Sequence, residues 1–303
     1  MLDPLVSVVI GVRNGAGSLE RTLRSVLDQE GVALEVVVVD DGSDDGTDAL
    51  LAQLAAADPR LRTLRLPGEG LTAALIAGCR LARGRYLARQ DDGDISLPGR
   101  LARQVAALEA DPGAVVCSCH TRLVVAEGAT IALINPQPSE LADGISRAPH
   151  HGSVMLRRQA CEQVGGYRRC FHYAQDVDLW SRLAEIGEHL QIPEVLYEAR
   201  IDPGSISGMR RREQDAFHQL IVQATRARRQ GREEAPWLQQ AETLSQRCRG
   251  SRGRSARRMA AGAYFIGASL ISDAPDLART YLRRAVELDP LHWRARWKLA
   301  RLR

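Results

Sequence analysis

The chain has 303 residues, 45% hydrophobic and 26% charged, an ordinary globular composition that excludes disordered and fibrous classes. That length accommodates one large domain and a small one. The net charge of +4 hides an asymmetry: residues 1–200 carry 20 basic and 27 acidic side chains, residues 201–303 carry 21 and 10. A basic half could meet an acidic membrane, an acidic protein or nucleic acid. A solvated helical face accounts for the charge as well, and no nucleic-acid partner is expected.

Six cysteines (79, 117, 119, 161, 170 and 248) lie mostly within apolar runs, which reads as buried thiols rather than a disulfide framework. Cys117-Ser118-Cys119-His120 lacks the spacing that lets two thiolates converge on zinc, and no second pair follows. Asp3 stands where a signal peptide would be basic, and residues 259–271 fall short of the ~18–20 apolar residues of a membrane span. A cytoplasmic protein is expected.

Residues 5–10 form a β-branched run suited to a strand buried on both faces. A polar turn at 13–17 precedes a helix over 18–29, with Ser18 as its cap and Leu19, Leu23, Val26 and Leu27 as its apolar stripe. A second strand over 34–39 ends at Asp40-Asp41-Gly42-Ser43, and a helix over 47–57 follows. A third strand (61–66), a helix (70–82) and a fourth strand (85–89) complete the alternation. Short connections between alternating strands and helices predict a parallel α/β sheet with right-handed crossovers.

In such sheets ligands bind beyond the carboxyl ends of the strands. The polar clusters sit there: Arg13-Asn14 after strand one, Asp40-Asp41 after strand two, Asp91-Asp92-Gly93-Asp94 after strand four. The glycines 11, 15 and 17 have neither the order nor the spacing of a dinucleotide loop, and no phosphate-cradling G-x-x-x-x-G-K-[ST] loop is present. Carboxylates can accept bonds from a base and a ribose, or offer hard oxygens to Mg²⁺ or Mn²⁺, which would neutralise a diphosphate. Either cluster alone could be a plain turn; both at one sheet edge argue for a site.

The run Val6-Ser7-Val8-Val9-Ile10, then Arg13-Asn14, then Ser25-Val26-Leu27-Asp28-Gln29, then Val39-Asp40-Asp41-Gly42-Ser43 through Thr47 resembles the family 2 inverting glycosyltransferases. The match continues through Gly84-Arg85-Tyr86-Leu87-Ala88-Arg89-Gln90 into the 91–94 cluster, and through Tyr173-Ala174-Gln175-Asp176-Val177-Asp178. It covers about residues 5–210 in the family's order. The resemblance implies a GT-A fold: a Rossmann-like, mostly parallel sheet flanked by helices, over residues 1–230. A small all-α tail would occupy 231–303.

It further implies transfer of a sugar from a nucleoside diphosphate sugar to a hydroxyl of a glycan or lipid-linked acceptor, in the synthesis of bacterial cell-envelope polysaccharide or glycoconjugate. Asp41 would contact the base, with Asp40 and Arg13 beside it, and Arg89, Asp91, Asp92 and His151 would complete the donor site. Asp92 and Asp94 would hold Mn²⁺ or Mg²⁺, and Asp176 would be the general base. Gly93 stands where the family often has a third acid, Arg13 where an aromatic is usual, and Gln175 where an acid often precedes the base. The Gly93 departure motivates the alternative of a degenerate domain that binds a nucleotide or partner without chemistry.

Pro149-His150-His151-Gly152-Ser153-Val154-Met155 resembles the strand lining the acceptor side, and residues 204–207 the segment closing the site. A polar helix is predicted over 209–230, in which at least two of Arg210, Arg211 and Arg212 face solvent because successive positions diverge by ~100°. Trp180 and Leu183 are assigned to the core, and Asp178 to a structural role. In the tail, 231–235 and 247–254 read as linkers, and 256–271, 275–288 and 290–301 as helices. Ala278, Ala285, Leu288-Asp289-Pro290 and Trp293 resemble one tetratricopeptide-like unit, which must pack on the catalytic part or on a partner. Residues 259–271 are expected to be its buried helix; a contact of the basic tail with the inner face of the membrane, or with a protein, is the secondary expectation.

Overall fold

The computed structural model describes residues 5–125, 130–134, 145, 148–201, 210–249 and 255–302. The segment 204–207 and residues 250–254 of the expected linker lie outside the described residues.

Strands β1 (Val6–Val12), β2 (Leu34–Asp40), β3 (Leu61–Arg65) and β4 (Tyr86–Arg89) alternate with helices α1 (Leu19–Leu27), α2 (Thr47–Ala57) and α3 (Leu71–Leu81). They pair in parallel in the order β3-β2-β1-β4. Beyond them come β5 (Ile95–Ser96), α4 (Arg100–Ala110), β6 (Ala114–Val125), β7 (Thr130–Ile134), a 3₁₀ turn (His151–Ser153), β8 (Met155–Arg157), α5 (Arg158–Gln163), α6 (Gln175–Leu183) and β9 (Glu188–Ile201). The tail contains α7 (Arg211–Arg229), α8 (Ala235–Arg249), α9 (Ala256–Ser269), α10 (Pro275–Leu288) and α11 (Trp293–Arg301).

The parallel half matches the alternation expected from the sequence. The other half is mixed: β8 runs antiparallel to both β4 and β6, β6 and β9 are parallel, and β5 and β7 add antiparallel edges. The β6–β9 register shifts between Cys119 and His120, whose partners are Ile192 and Val195, so the ladder skips Pro193. Proline has no N–H for a ladder and is tolerated at such irregularities.

Burial explains the β-branched strands. Val6, Val8 and Ile10 point into one apolar cluster with Leu19, Leu23 and Val26 of α1, whereas Val9 points into the opposite cluster with Leu75 of α3, Leu87 and Trp180. Alternate residues of one strand thus fill two cores, as a period of two requires. All six cysteines are free thiols, four of them buried.

The tail covers two separate faces. Helix α8 contributes Ala241 and Cys248 to a cluster around Phe171 and Phe217, and it extends to Arg249, so the first three residues of the expected linker at 247–254 are helical. Helices α9 to α11 pack on β6 and β9 through Ala263, Ile266, Tyr281, Leu282 and Ala295 against Leu123, Val125, Leu196 and Ala199. Helix α9 is the expected buried helix, and its Gly267 lets α10 approach: a Cβ there would lie 2.9 Å from Leu282 Cγ and 3.0 Å from its backbone nitrogen. Among the described residues no helix is long and apolar enough to cross a membrane.

Candidate active site

Two loops at the carboxyl edge of the parallel strands are stitched together. The Asn14 amide donates to Ser43 Oγ (2.8 Å), Gly15 N–H to Thr47 Oγ1 (2.9 Å) and Ala16 N–H to Asp45 Oδ2 (3.0 Å). In return Asp44 N–H donates to Asn14 Oδ1 (3.0 Å). Asn14 holds a left-handed φ of 59°, which its short amide side chain tolerates. Arg13, expected in the donor site, is exposed beside this seam.

Asp40 and Asp41 are both buried. Asp41 accepts from the amides of Glu69 (2.6 Å) and Gly70 (2.7 Å), the latter the N-cap residue of α3 and one of the donors its start leaves without an intrahelical partner. Asp40 Oδ1 accepts from Ser43 N–H (2.9 Å) and Ser43 Oγ (2.5 Å). Its Oδ2 is buried with no hydrogen-bond partner, the nearest cation being Arg65 Nε at 3.7 Å. Such an oxygen is a ready acceptor for an N–H or O–H of a ligand.

The second acidic cluster follows β4. The Arg89 guanidinium is 3% exposed and is paired with Asp91, while its Nη1 also donates to the Val9 carbonyl (3.2 Å). The Asp91 amide donates to Tyr197 Oη (3.1 Å), and that hydroxyl donates to Asp94 Oδ2 (2.9 Å). The amide of Arg200 on β9 donates to Asp94 Oδ1 (2.8 Å). Buried Arg100 of α4 ties the floor together, donating to the carbonyls of Gly152 (2.7 Å) and Arg89 (3.0 Å) and stacking on the Tyr197 ring at 5.0 Å. A side chain at Gly152 would collide with the Tyr197 hydroxyl, so the tyrosine can reach the acids only past a glycine.

Asp91, Asp94 and His150 bring one ligand atom each within 4.8 Å of one another, and His150 Nδ1 is buried without a hydrogen-bond partner. Two carboxylates and an imidazole suit Mn²⁺ or Mg²⁺, with the nitrogen favouring the former. Asp92, expected to ligate beside Asp94, stands outside this group and accepts from Ser18 Oγ (2.8 Å). Ser18 occupies the expected cap position of α1 but its side chain makes no capping bond; its hydroxyl donates to Asp92 instead. Gly93 has a φ of +90°, and a side chain there would meet no atom within 4 Å; its amide donates to Thr22 Oγ1 (2.9 Å).

The electrostatics set the two ends of this cluster apart. Burial would raise the Asp91 carboxyl, but the paired Arg89 guanidinium holds it below the usual carboxylate range. Burial, and then the Asp91 charge, push Asp94 well up. Burial pushes Asp92 to about 6. Two acids crowded beside a single buried cation are driven apart in this way, the one paired with the cation downward and its neighbour upward.

His151, the expected ligand-contacting histidine, bonds Tyr167 Oη through Nε2 (2.7 Å) and packs edge-on against Trp180. Burial lowers it to about 3, so it is neutral. Its neighbour His150 is the one that joins the acids. Asp176 opens α6 two residues after Ala174, whose φ of 56° turns the chain into that helix. Burial raises the Asp176 carboxyl, and the Asp91 charge adds to this while Arg89 opposes it. As expected, Trp180 and Leu183 are buried, and Asp178 is structural, 1% exposed and bonded to Arg182 (2.5 Å). Of the three arginines opening the polar helix, Arg210 is buried, bonding Glu213 (3.0 Å) and stacking on Tyr173 at 5.9 Å; Arg211 and Arg212 are exposed.

His150 and Tyr197 were not singled out from the sequence. His150 had the signal of adjacency to His151; Tyr197 had none, because it reaches the acids from a strand about a hundred residues later.

The acid-rich edge thus lies on a mixed α/β sheet, with the half-buried Asp176 carboxylate in the first turn of a nearby helix. Residues 7–214 match the family described as glycosyl transferase family 2, and the chain belongs to that family. It is 34% identical over 209 residues to EpsE of Bacillus subtilis, a protein named as a glycosyltransferase, covering 66% of this chain and 74% of that one. It is 38% identical over 133 residues to the succinoglycan biosynthesis protein ExoO of Rhizobium meliloti, covering 44% of this chain and 37% of that one. Among solved structures, the mannosyltransferase PcManGT of Pyrobaculum calidifontis in complex with GDP-Man and Mn²⁺ superposes with a TM-score of 0.59 at 20% identity, covering 100% of this chain and 85% of that one. At that identity the likeness establishes the GT-A fold. The chain is a family 2 glycosyltransferase with this fold.

Proposed function

We propose that this chain is an inverting transferase that moves a sugar from a nucleoside diphosphate donor to an acceptor hydroxyl in polysaccharide or glycoconjugate synthesis. The observation carrying the proposal is the pairing of a carboxyl whose pKa burial raises, Asp176, with the Arg89–Asp91–Asp94–His150 group at the same sheet edge. The ExoO relative supports the polysaccharide context, and the PcManGT complex supports a nucleotide-sugar donor and a divalent metal.

Asp176 takes the proton of the acceptor hydroxyl as its oxygen bonds to the anomeric carbon. The bond from that carbon to the diphosphate oxygen breaks on the opposite face, and the electron pair leaves with the nucleoside diphosphate, so the configuration inverts. Asp40 and Asp41 line the base pocket, with Asp40 Oδ2 as the open acceptor. Asp91, Asp94 and His150 would hold Mn²⁺ or Mg²⁺, which would supply Lewis-acid neutralisation of the departing diphosphate. Residues 1–230 form the catalytic unit in this reading, with 231–303 as its helical tail.

A second reading, a domain that binds a nucleotide without transfer, draws on Gly93 and on Asp91 already being paired with Arg89. Replacing Asp176 separates the two. Asp176→Asn should lower turnover by roughly 10²–10⁴-fold while nucleotide binding, measured by calorimetry with UDP, GDP, dTDP and CDP with and without Mn²⁺, stays at the wild-type level. A wild type that binds one nucleotide yet transfers no sugar from any donor, to any hydroxyl or to water, would establish the binding module.

A further inference from the structure

The tail carries an exposed apolar face that nothing in the transferase reading uses. Among the described residues the large hydrophobics left exposed are Ile186 (38%), Leu291 (75%), Trp293 (68%) and Trp297 (50%). Three of these four lie within seven residues at the start of α11. Trp293 and Trp297 are one helical turn apart, on the side of α11 opposite Ala295, which is 0% exposed in the tail core with Leu299 packed beside it.

The indoles are framed by cations. Arg294 stacks over Trp293 at 5.3 Å and Arg301 over Trp297 at 3.9 Å. At 100° per residue Arg296 flanks the aromatic pair on one side and Arg294 and Arg301 flank it on the other. Lys298 adds a fourth cation to the helix, and residues 290–303 contain no Asp or Glu. Arg283 and Arg284 of α10 are exposed as well; the acids on that helix are Asp276, which is bonded to Arg279, and Glu287.

Tryptophan and arginine also suit protein interfaces, but a second copy of this face would set arginines against arginines with no acid on the helix to meet them. Bare indoles edged by arginines, with no acid on the helix, are instead complementary to a surface that is apolar underneath and anionic on top, where tryptophan and arginine each find their own layer. We propose that the outer face of α11 docks this protein on the headgroup layer of an anionic lipid bilayer. Leu291, Trp293 and Trp297 enter the interface, and Arg294, Arg296 and Arg301 lie on the lipid phosphates. Residues 259–271, the longest apolar run of the tail, are packed on the sheet as the expected buried helix, so a membrane contact of the basic tail falls to another face. The proposal does not depend on the donor, the metal or the transfer chemistry.

The test is co-sedimentation of the full chain with vesicles of equal phosphatidylglycerol and phosphatidylcholine, and with phosphatidylcholine alone. Wild type should bind the anionic vesicles, release at high salt, and shift its tryptophan emission to the blue. The double variant Trp293→Ala, Trp297→Ala should bind at least about tenfold more weakly. Arg294→Gln with Arg301→Gln should weaken binding by about an order of magnitude or more, at roughly fivefold per charge. Because all four side chains are exposed or stacked on exposed rings, the variants should keep the wild-type Tm and nucleotide binding. Absence of binding to either vesicle, or equal binding to neutral and anionic ones, overturns the proposal. So does a wild-type dimer that the double tryptophan variant dissolves in the absence of lipid, which would make the face a contact between copies of the chain.

Discussion

The two acidic clusters look alike in sequence and are used in opposite ways. At 40–41 the carboxylates are spent mostly on the protein's own backbone: Asp41 holds two amides ahead of α3, and Asp40 holds Ser43. At 91–94 the carboxylates are set against one another around a buried guanidinium, with Tyr197 and the Arg200 amide fixing Asp94 from the far side of the sheet. The first arrangement shapes a loop and leaves one open oxygen. The second concentrates charge that a ligand or cation can complete. Burial alone does not separate them, since Asp40, Asp41 and Asp94 are all nearly inaccessible; the nature of the partner does.

Removing the cation from the second cluster should have the largest effect on stability. Arg89→Met leaves Asp91 facing Asp94 without compensation, and should cost roughly 3 kcal/mol in denaturant melts, less than for a wholly buried charge because Asp91 is 33% exposed. An unchanged midpoint would mean that the pair is not holding the loop. The pH profile sharpens the contrast among the acids. As the proposed base, Asp176 would act only when ionised, and burial raises its pKa, so kcat/KM should fall about tenfold per pH unit below that raised value. Asp91, held low, stays ionised throughout that limb. An acidic limb at the ordinary ~3.9 of an aspartate would remove Asp176 from the role.

In the first cluster the expected losses are smaller. Asp41→Ala takes the acceptor from two backbone amides and should destabilise by about 1–3 kcal/mol, read as a lowered Tm with the fold otherwise retained. Arg65→Gln should leave the Tm nearly unchanged, since Arg65 is 51% exposed and sits 3.7 Å from Asp40. A marked drop there would show that its contacts to Asp40, Asp48 and the Ser43 carbonyl (2.8 Å) together hold this loop more firmly than their exposure suggests.

Much of this could be read before any coordinates. The β-branched runs of β1 and β2, the alternation up to β4 and the placement of polar clusters at strand ends are local patterns, and burial on both faces imposes them directly on composition. The helices α9 and α10 were legible for the same reason, as was the structural role of Asp178. The order beyond residue 100 was not, because β6, β8 and β9 pair with neighbours far away in sequence and in both directions. Ser18 was read as a cap from its position alone; its hydroxyl went to Asp92, 74 residues away.

The sequence by itself determined the fold class and the set of acids at the binding edge, because side-chain periodicity and strand-end chemistry are written along the chain. Tertiary structure decided which of those acids meet: it drew His150 and Tyr197 to Asp91 and Asp94, turned Asp92 toward Ser18, and left Trp293 and Trp297 bare. Those outcomes depend on distances between segments that share no local pattern, and only packing sets them.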